Sequence, residues 1–134
     1  MQIHPVRLAP QADLRAALEA LLGAHGVGAA FVLQGIGSLS VAQLRLAGMA
    51  HPIALRADLE ILTLAGSLSR HGAHLHISVA DAQGRVTGGH LCPGSIVRTT
   101  AEVLVALLPD YRFTREDDAA TGFKELAIGR PSTT

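Results

Sequence analysis

Tryptophan is absent from this chain, tyrosine occurs once and phenylalanine three times. With aromatics at 3% and apolar residues at 49%, the interior has to be built from Leu, Val, Ile and Ala. A single cysteine, Cys92, excludes an internal disulfide. The opening MQIHPVRLAP shows neither the basic n-region nor the apolar h-region of a secretory signal. Together these point to a reducing compartment, so the expected location is the cytoplasm. No apolar run reaches about 18 residues, so a membrane span is not expected. Eleven Lys and Arg balance eleven Asp and Glu, and ten of the basic residues are Arg. Without a basic run or stripe, whole-chain charge gives no electrostatic case for nucleic acid.

What the chain does have is a succession of short periodic segments. Its 134 residues are expected to form one domain over 1–134 and to bury roughly two-thirds of the unfolded surface. Charged residues make up only 16%, which suggests that apolar surface is also buried between subunits. Pro10 to Leu22 predicts a helix, with Leu14, Leu18, Leu21 and Leu22 at helical spacing, Asp13 near its start and Gly23 and Gly26 as the stop. The run 27–48 predicts two strands around a turn at Gly35 to Leu39. Leu59 to Leu68 predicts a strand with Leu59, Ile61 and Thr63 on one face and Glu60, Leu62 and Leu64 on the other. Both faces carry apolar residues, as in a central strand or a subunit contact. Residues 95–108 favour strand over helix, 109–122 read as a charged loop, and FKELAI reads as a closing strand. The expected class is α+β, a mostly antiparallel sheet with one N-terminal helix packed on it.

Residues 74–92, HLHISVADAQGRVTGGHLC, hold three of the seven histidines and the cysteine. Ala82-Gln83-Gly84 fits a three-residue hairpin loop, with Gly84 at the left-handed position. Asp81 then faces Arg85, His76 faces His90 and His74 faces Cys92. With a period of two, His74, His76, His90 and Cys92 leave one face, while Leu75, Ile77, Val79 and Leu91 line the other. Facing Cβ atoms stand about 4.5–5.5 Å apart. Three imidazoles at such corners can therefore meet on one ion at about 2.0–2.1 Å. Zinc is the default ion, with Ni²⁺, Cu²⁺ and Fe²⁺ also compatible. Cys92 is a candidate fourth ligand; otherwise that position stays open. Gly88 and Gly89 would let another backbone or a ligand approach. The competing interpretation is of ordinary half-buried sheet histidines. A register slip of one residue would turn His90 away.

These segments together resemble the plant-and-prokaryote conserved (PPC) domain. The likeness is carried by LEILTLAGSLS, HLHISVADAQGRVTGGHL, GSIVRTTAEVLV and TGFKEL, and it extends to GIGSLSVAQLRL. G-G-H-L after H-L-H-I is its most specific part. The resemblance implies a compact α+β domain that assembles as a homotrimer. In plants the domain is joined to AT-hooks in nuclear DNA-binding regulators. Stand-alone prokaryotic members, which this bacterial-type chain is similar to, are grouped as candidate DNA-binding proteins. Some resemble metal binders through histidines that match His74, His76 and His90. The basic AT-hook is missing: only IGRPST occurs, at 128–133, and it reads as a fraying tail. DNA as a partner therefore rests on analogy, and no DNA-contacting residue is assigned.

Glu102, as a base or as a support for a metal-bound histidine, and Glu60, near the metal, are candidates, against a strand-edge carboxylate for the first and a pairing with an Arg such as Arg98 for the second. Arg115 is read as solvated. No G-x-S-x-G context supports a serine nucleophile, and GIGS lacks the dinucleotide-binding pattern. Three functions fit: a trimeric, metal-bearing regulatory module associated with DNA; a metal-dependent enzyme using an open three-histidine ion; and an oligomeric scaffold with structural histidines. No catalytic residue is assigned, and the enzyme is the less favoured.

Overall fold

Alternation of apolar and polar residues runs through most of the chain, and a computed structural model describing residues 1–132 is accordingly dominated by strands. Thr133, in the expected tail at 128–133, and Thr134, the end of the expected single domain, lie outside the described residues. Along the chain come β1 (Gln2–Leu8), α1 (Leu14–His25), β2 (Ala30–Arg45), β3 (Ile53–Ser69), β4 (Gly72–Ala80), β5 (Val86–Leu91), β6 (Ile96–Leu107), β7 (Arg112–Asp117) and β8 (Lys124–Gly129). Six strands form one antiparallel sheet in the order β1-β6-β2-β3-β4-β5, and β7 and β8 pair as a separate ribbon. The expected α+β class, with one helix on a mostly antiparallel sheet, is the one observed.

β5 also pairs with β2, through Leu44↔Leu91 and Arg45↔His90, so the sheet curls until β2, β3, β4 and β5 close on themselves. The inner side is filled by Val32, Leu39, Leu64, Leu75, Ile77 and Leu91, and α1 seals it with Leu14, Leu18 and Leu22. Each buried leucine is worth about 2 kcal/mol by area. No helix among the described residues is long and apolar enough to cross a membrane.

Four expectations are corrected, and one strand was not foreseen. The helix starts at Leu14, because Asp13 caps it: its Oδ1 accepts the Ala16 N–H at 3.0 Å. Pro10 lies in the preceding turn, and the helix runs through Gly23 to a left-handed Gly26 (φ 62°). The two strands expected between 27 and 48 are one, β2, with register shifts where a turn was expected. Gly37 serves close approach there: with φ 137°, a Cβ would collide with the Thr100 carbonyl and stand 2.7 Å from Ala101 Cα. A register shift between Ile61 and Thr63 puts Leu64 inside with Leu59 and Ile61 and leaves Thr63 exposed. The charged loop contains β7, whose backbone pairs with β8 in a separate ribbon and so never had to alternate strictly against the core. The opening segment, read only for targeting signals, is the edge strand β1, where Pro5 is tolerated.

Candidate metal centre

The hairpin that carries the histidines has the expected turn. Gly84 is left-handed (φ 76°), and the Asp81 N–H donates to the Arg85 carbonyl at 3.0 Å. The Asp81 carboxylate accepts the N–H groups of Gln83 (2.9 Å) and Arg85 (3.0 Å) and the Arg85 Nε (2.9 Å). The Arg85 N–H foremost among these holds its carboxyl below the usual range. This turn sets the register, and His76 stands opposite His90. Leu75, Ile77, Val79 and Leu91 are buried on the inner face, so the alternating histidines must leave the outer one.

The close approach foreseen for Gly88 and Gly89 occurs. A Cβ on Gly89 would stand 2.8 Å from the Arg45 carbonyl, and one on Gly88 would stand 3.2 Å from the Ile77 carbonyl. The bare Gly89 backbone lets β5 lie against β2, which fixes His90 from both sides. Gly66 does the same for His74 from β3: a Cβ there would stand 2.8 Å from Leu75 Cα.

Ring centroids are 5.0 Å apart for His74 and His76, 4.6 Å for His76 and His90, and 5.2 Å for the stacked pair His74 and His90. One ring nitrogen from each lies within 4.8 Å of the others, so the three could hold a metal ion. Donors bound tetrahedrally at about 2.0–2.1 Å stand about 3.3–3.4 Å apart, which rotation of the rings can supply. Burial, then the charge of Arg115, pushes the His74 pKa below the ordinary histidine value; burial, then Arg45, does so for His90. Both rings are thus held toward the neutral form, the form that ligates.

The other candidates are dispersed. The β4–β5 ladder ends at His76↔His90, so Cys92 does not face His74 as expected. Instead the Cys92 N–H donates to the Gln43 carbonyl at 2.9 Å, and its thiol points to the His90 carbonyl at 3.7 Å. Glu60 is exposed on β3 opposite Ala80 and Ser38, and Arg98 pairs with Asp58 at 3.0 Å rather than with Glu60. Glu102 is exposed on β6 opposite Arg7 and Ile36. Neither carboxylate joins the cluster of mutually close ligand atoms.

A cavity of about 1150 Å³ opens beside His74 and His90, and Cys92 lines it. Sequence reasoning missed most of its wall, because the wall is assembled from α1, the β2–β3 connection and the β7–β8 ribbon. Arg115, read as solvated, lines it; its N–H donates to His71 Nδ1 at 3.0 Å, and its side chain reaches Ser67 Oγ at 3.4 Å. Glu125 is the carboxylate on this wall.

The family profile of the Plants and Prokaryotes Conserved (PCC) domain matches residues 1–109. The bifunctional protein GlmU of Synechococcus sp. (strain JA-2-3B'a(2-13)) is 50% identical over 128 residues, which are 96% of this chain and 20% of GlmU. The chain therefore spans about a fifth of the length of the curated relatives it matches. A hypothetical protein from Salmonella cholerae-suis superposes with a TM-score of 0.92 at 35% identity, over 96% of this chain and 94% of that one. A metal-containing protein from Archaeoglobus fulgidus gives 0.78 at 26% identity, over 95% and 94%. A candidate DNA-binding protein from Ralstonia eutropha gives 0.80 at 22% identity, over 93% and 90%, a likeness of fold alone.

Proposed function

Because the chain belongs to the Plants and Prokaryotes Conserved domain family, we propose that it is a metal-bearing module that assembles as a homotrimer and acts in a regulatory, DNA-associated role in the cytoplasm. The observation that carries the metal is the convergence of three imidazoles whose backbones are each fixed by a neighbouring strand. His74, His76 and His90 would hold the ion. Zinc suits an all-imidazole donor set, and a relative at 26% identity is named as metal-containing. Bound there, the ion would supply a cross-link between β4 and β5 and a Lewis acid at any open position. The fourth position would stay open to solvent or a ligand, since Cys92, like Glu60 and Glu102, lies outside the cluster of mutually close donors.

Assembly is supported by the outer face of the sheet. Ile3, Ala106 and Phe31 face one another across β1, β6 and β2, away from the cavity. Ile3, Phe31, Leu33, Ile36 and Leu104 are exposed on or beside that row. Large apolar side chains left exposed on one face are what a contact with another chain would cover.

Elemental analysis of the purified chain against His76→Ala tests the centre. A stoichiometric ion in the parent and none in the variant is the expected result. Parent preparations free of metal under non-chelating conditions would overturn it. Loss of metal with assembly intact favours an accessible ion and keeps open the metal-dependent enzyme, the alternative function. Loss of both favours a structural one. DNA association is tested by a salt-titrated shift assay, in which specific binding must survive competitor DNA.

A further inference from the structure

The chain is neutral as a whole, but the cavity beside the histidines is not. Arg15, Arg45, Arg115 and Lys124 line it against one carboxylate, Glu125. Arg15 is paired with Glu19 at 2.9 Å and Lys124 with Asp117 at 3.1 Å. Arg45 and Arg115 have no carboxylate within 4.0 Å among the described residues, and each holds only one weak side-chain hydrogen bond: Arg45 to the Met49 carbonyl at 3.3 Å, Arg115 to Ser67 Oγ at 3.4 Å. Their placement is set by the strands. Arg45 is the register partner of His90, and Ser67, which Arg115 reaches, is the register partner of His74. Two guanidiniums without a counter-ion thus flank the stacked imidazole pair. A guanidinium in a recess, short of acceptors, is a fork for a carboxylate or phosphate.

The rim adds a second, independent feature. Met49 is 56% exposed and Phe123 is 72% exposed, each directly after a left-handed glycine, Gly48 (φ 73°) and Gly122 (φ 76°). Both line this cavity, from the β2–β3 connection and from the turn between β7 and β8. Large apolar side chains displayed on two turns around one recess form a wall for an apolar body. The volume suits an organic molecule rather than a simple ion. The β7–β8 ribbon lies beyond the residues matched by the family profile, 1–109.

We propose that this cavity binds an organic anion, its carboxylate or phosphate held between Arg45 and Arg115 and its apolar body against Met49 and Phe123. The assignment adds to the metal centre and stands without it.

Titration calorimetry of the whole chain with phenylbutyrate, phenyl phosphate and the neutral phenylbutanamide tests it. Saturable binding of at least one anion and none of the amide is expected, and the preferred anion identifies the head group. Arg45→Gln and Arg115→Gln should each weaken binding about tenfold, the loss of one charged hydrogen bond. Glu125→Gln should tighten it, and Phe123→Ala should weaken both anions alike. Unchanged circular dichroism and melting temperature in the arginine variants separate this from misfolding. His76, which does not line the cavity, supplies the control: His76→Ala should lose the metal and keep the anion. Four results would overturn the proposal: neither anion binding at millimolar concentration, the amide binding as well as the anions, both arginine variants keeping parental affinity, or anion binding vanishing in His76→Ala, which would transfer the ligand to the ion.

Discussion

Leu75 separates His74 from His76 and points the other way, and that alternation makes the centre rigid. The leucine is 1% exposed in the core, so neither histidine can rotate inward without withdrawing it. The glycines opposite are as constraining. Gly66→Ala would set a Cβ against the His74 carbonyl at a φ of 148° that side chains rarely adopt. The expected cost is about 3 kcal/mol, with metal content falling alongside the denaturation midpoint, because His74 is displaced with its strand. A parental midpoint would show that the two backbones separate freely there. The lowered pKa values of His74 and His90 also have a sign. The unfolded chain takes up protons first as pH falls, so the metal-free protein should lose stability progressively below about 6.5, until the lower folded pKa values are passed. Denaturant titrations across that range should show this loss, and it should flatten in a His74→Ala, His90→Ala double variant. At this scale the sequence was legible where chemistry and register coincide: three histidines at hairpin-matched positions. It was not legible for Arg115, because its charged neighbours describe a solvated loop equally well.

The elements that were easiest to recognise are those stabilised by their own local chemistry. The β4–β5 hairpin is written in Asp81, Gly84 and Arg85, whose contacts span four residues at most. The helix is likewise legible from its leucines, although its start was misplaced. Asp13 does more than cap it. Its second oxygen accepts the Gly94 N–H at 2.8 Å, tying the helix to the turn before β6. Asp13→Ala should therefore cost about 2 kcal/mol, one cap and one long-range hydrogen bond, read as a lower midpoint with unchanged slope. A loss near 0.5 kcal/mol would mean that solvent replaces both bonds. β2 was divided in two because Gly35 and Gly37 are turn residues by local statistics. Their use here depends on β6 and on Leu64 lying against them, which no local rule contains. β7 was missed for the matching reason: its partner is the ribbon strand β8, so its burial pattern is not that of a sheet strand over a core.

For the whole molecule, the proposed assembly has a definite surface to cover: several large apolar side chains stay exposed on the outer face. Ile36 is 51% exposed on the outer face of β2, opposite Glu102 of β6. Ile36→Lys should leave the chain folded, since the new ammonium can pair with Glu102. It should also lower the mass seen by light scattering from a trimer toward a monomer. A trimer that persists would remove this face as the contact, and a monomeric parent would overturn the assembly itself. Charge behaves differently at this scale. Zero net charge conceals a local excess, because the basic residues around the cavity come from α1, β2, β7 and β8 and meet only once the sheet has curled.

Local periodicity and turn chemistry alone determined the α+β class, the central hairpin, its register and the face from which His74, His76 and His90 project. These depend on residues close in sequence and on the twofold repeat of a strand. Closure of β5 onto β2, the continuity of β2, the dispersal of Glu60 and Glu102, and the cationic recess with Arg45 and Arg115 were decided only in three dimensions. Each requires segments far apart in the chain to meet, and such meetings are selected by the burial of the common core rather than by any one segment's preference.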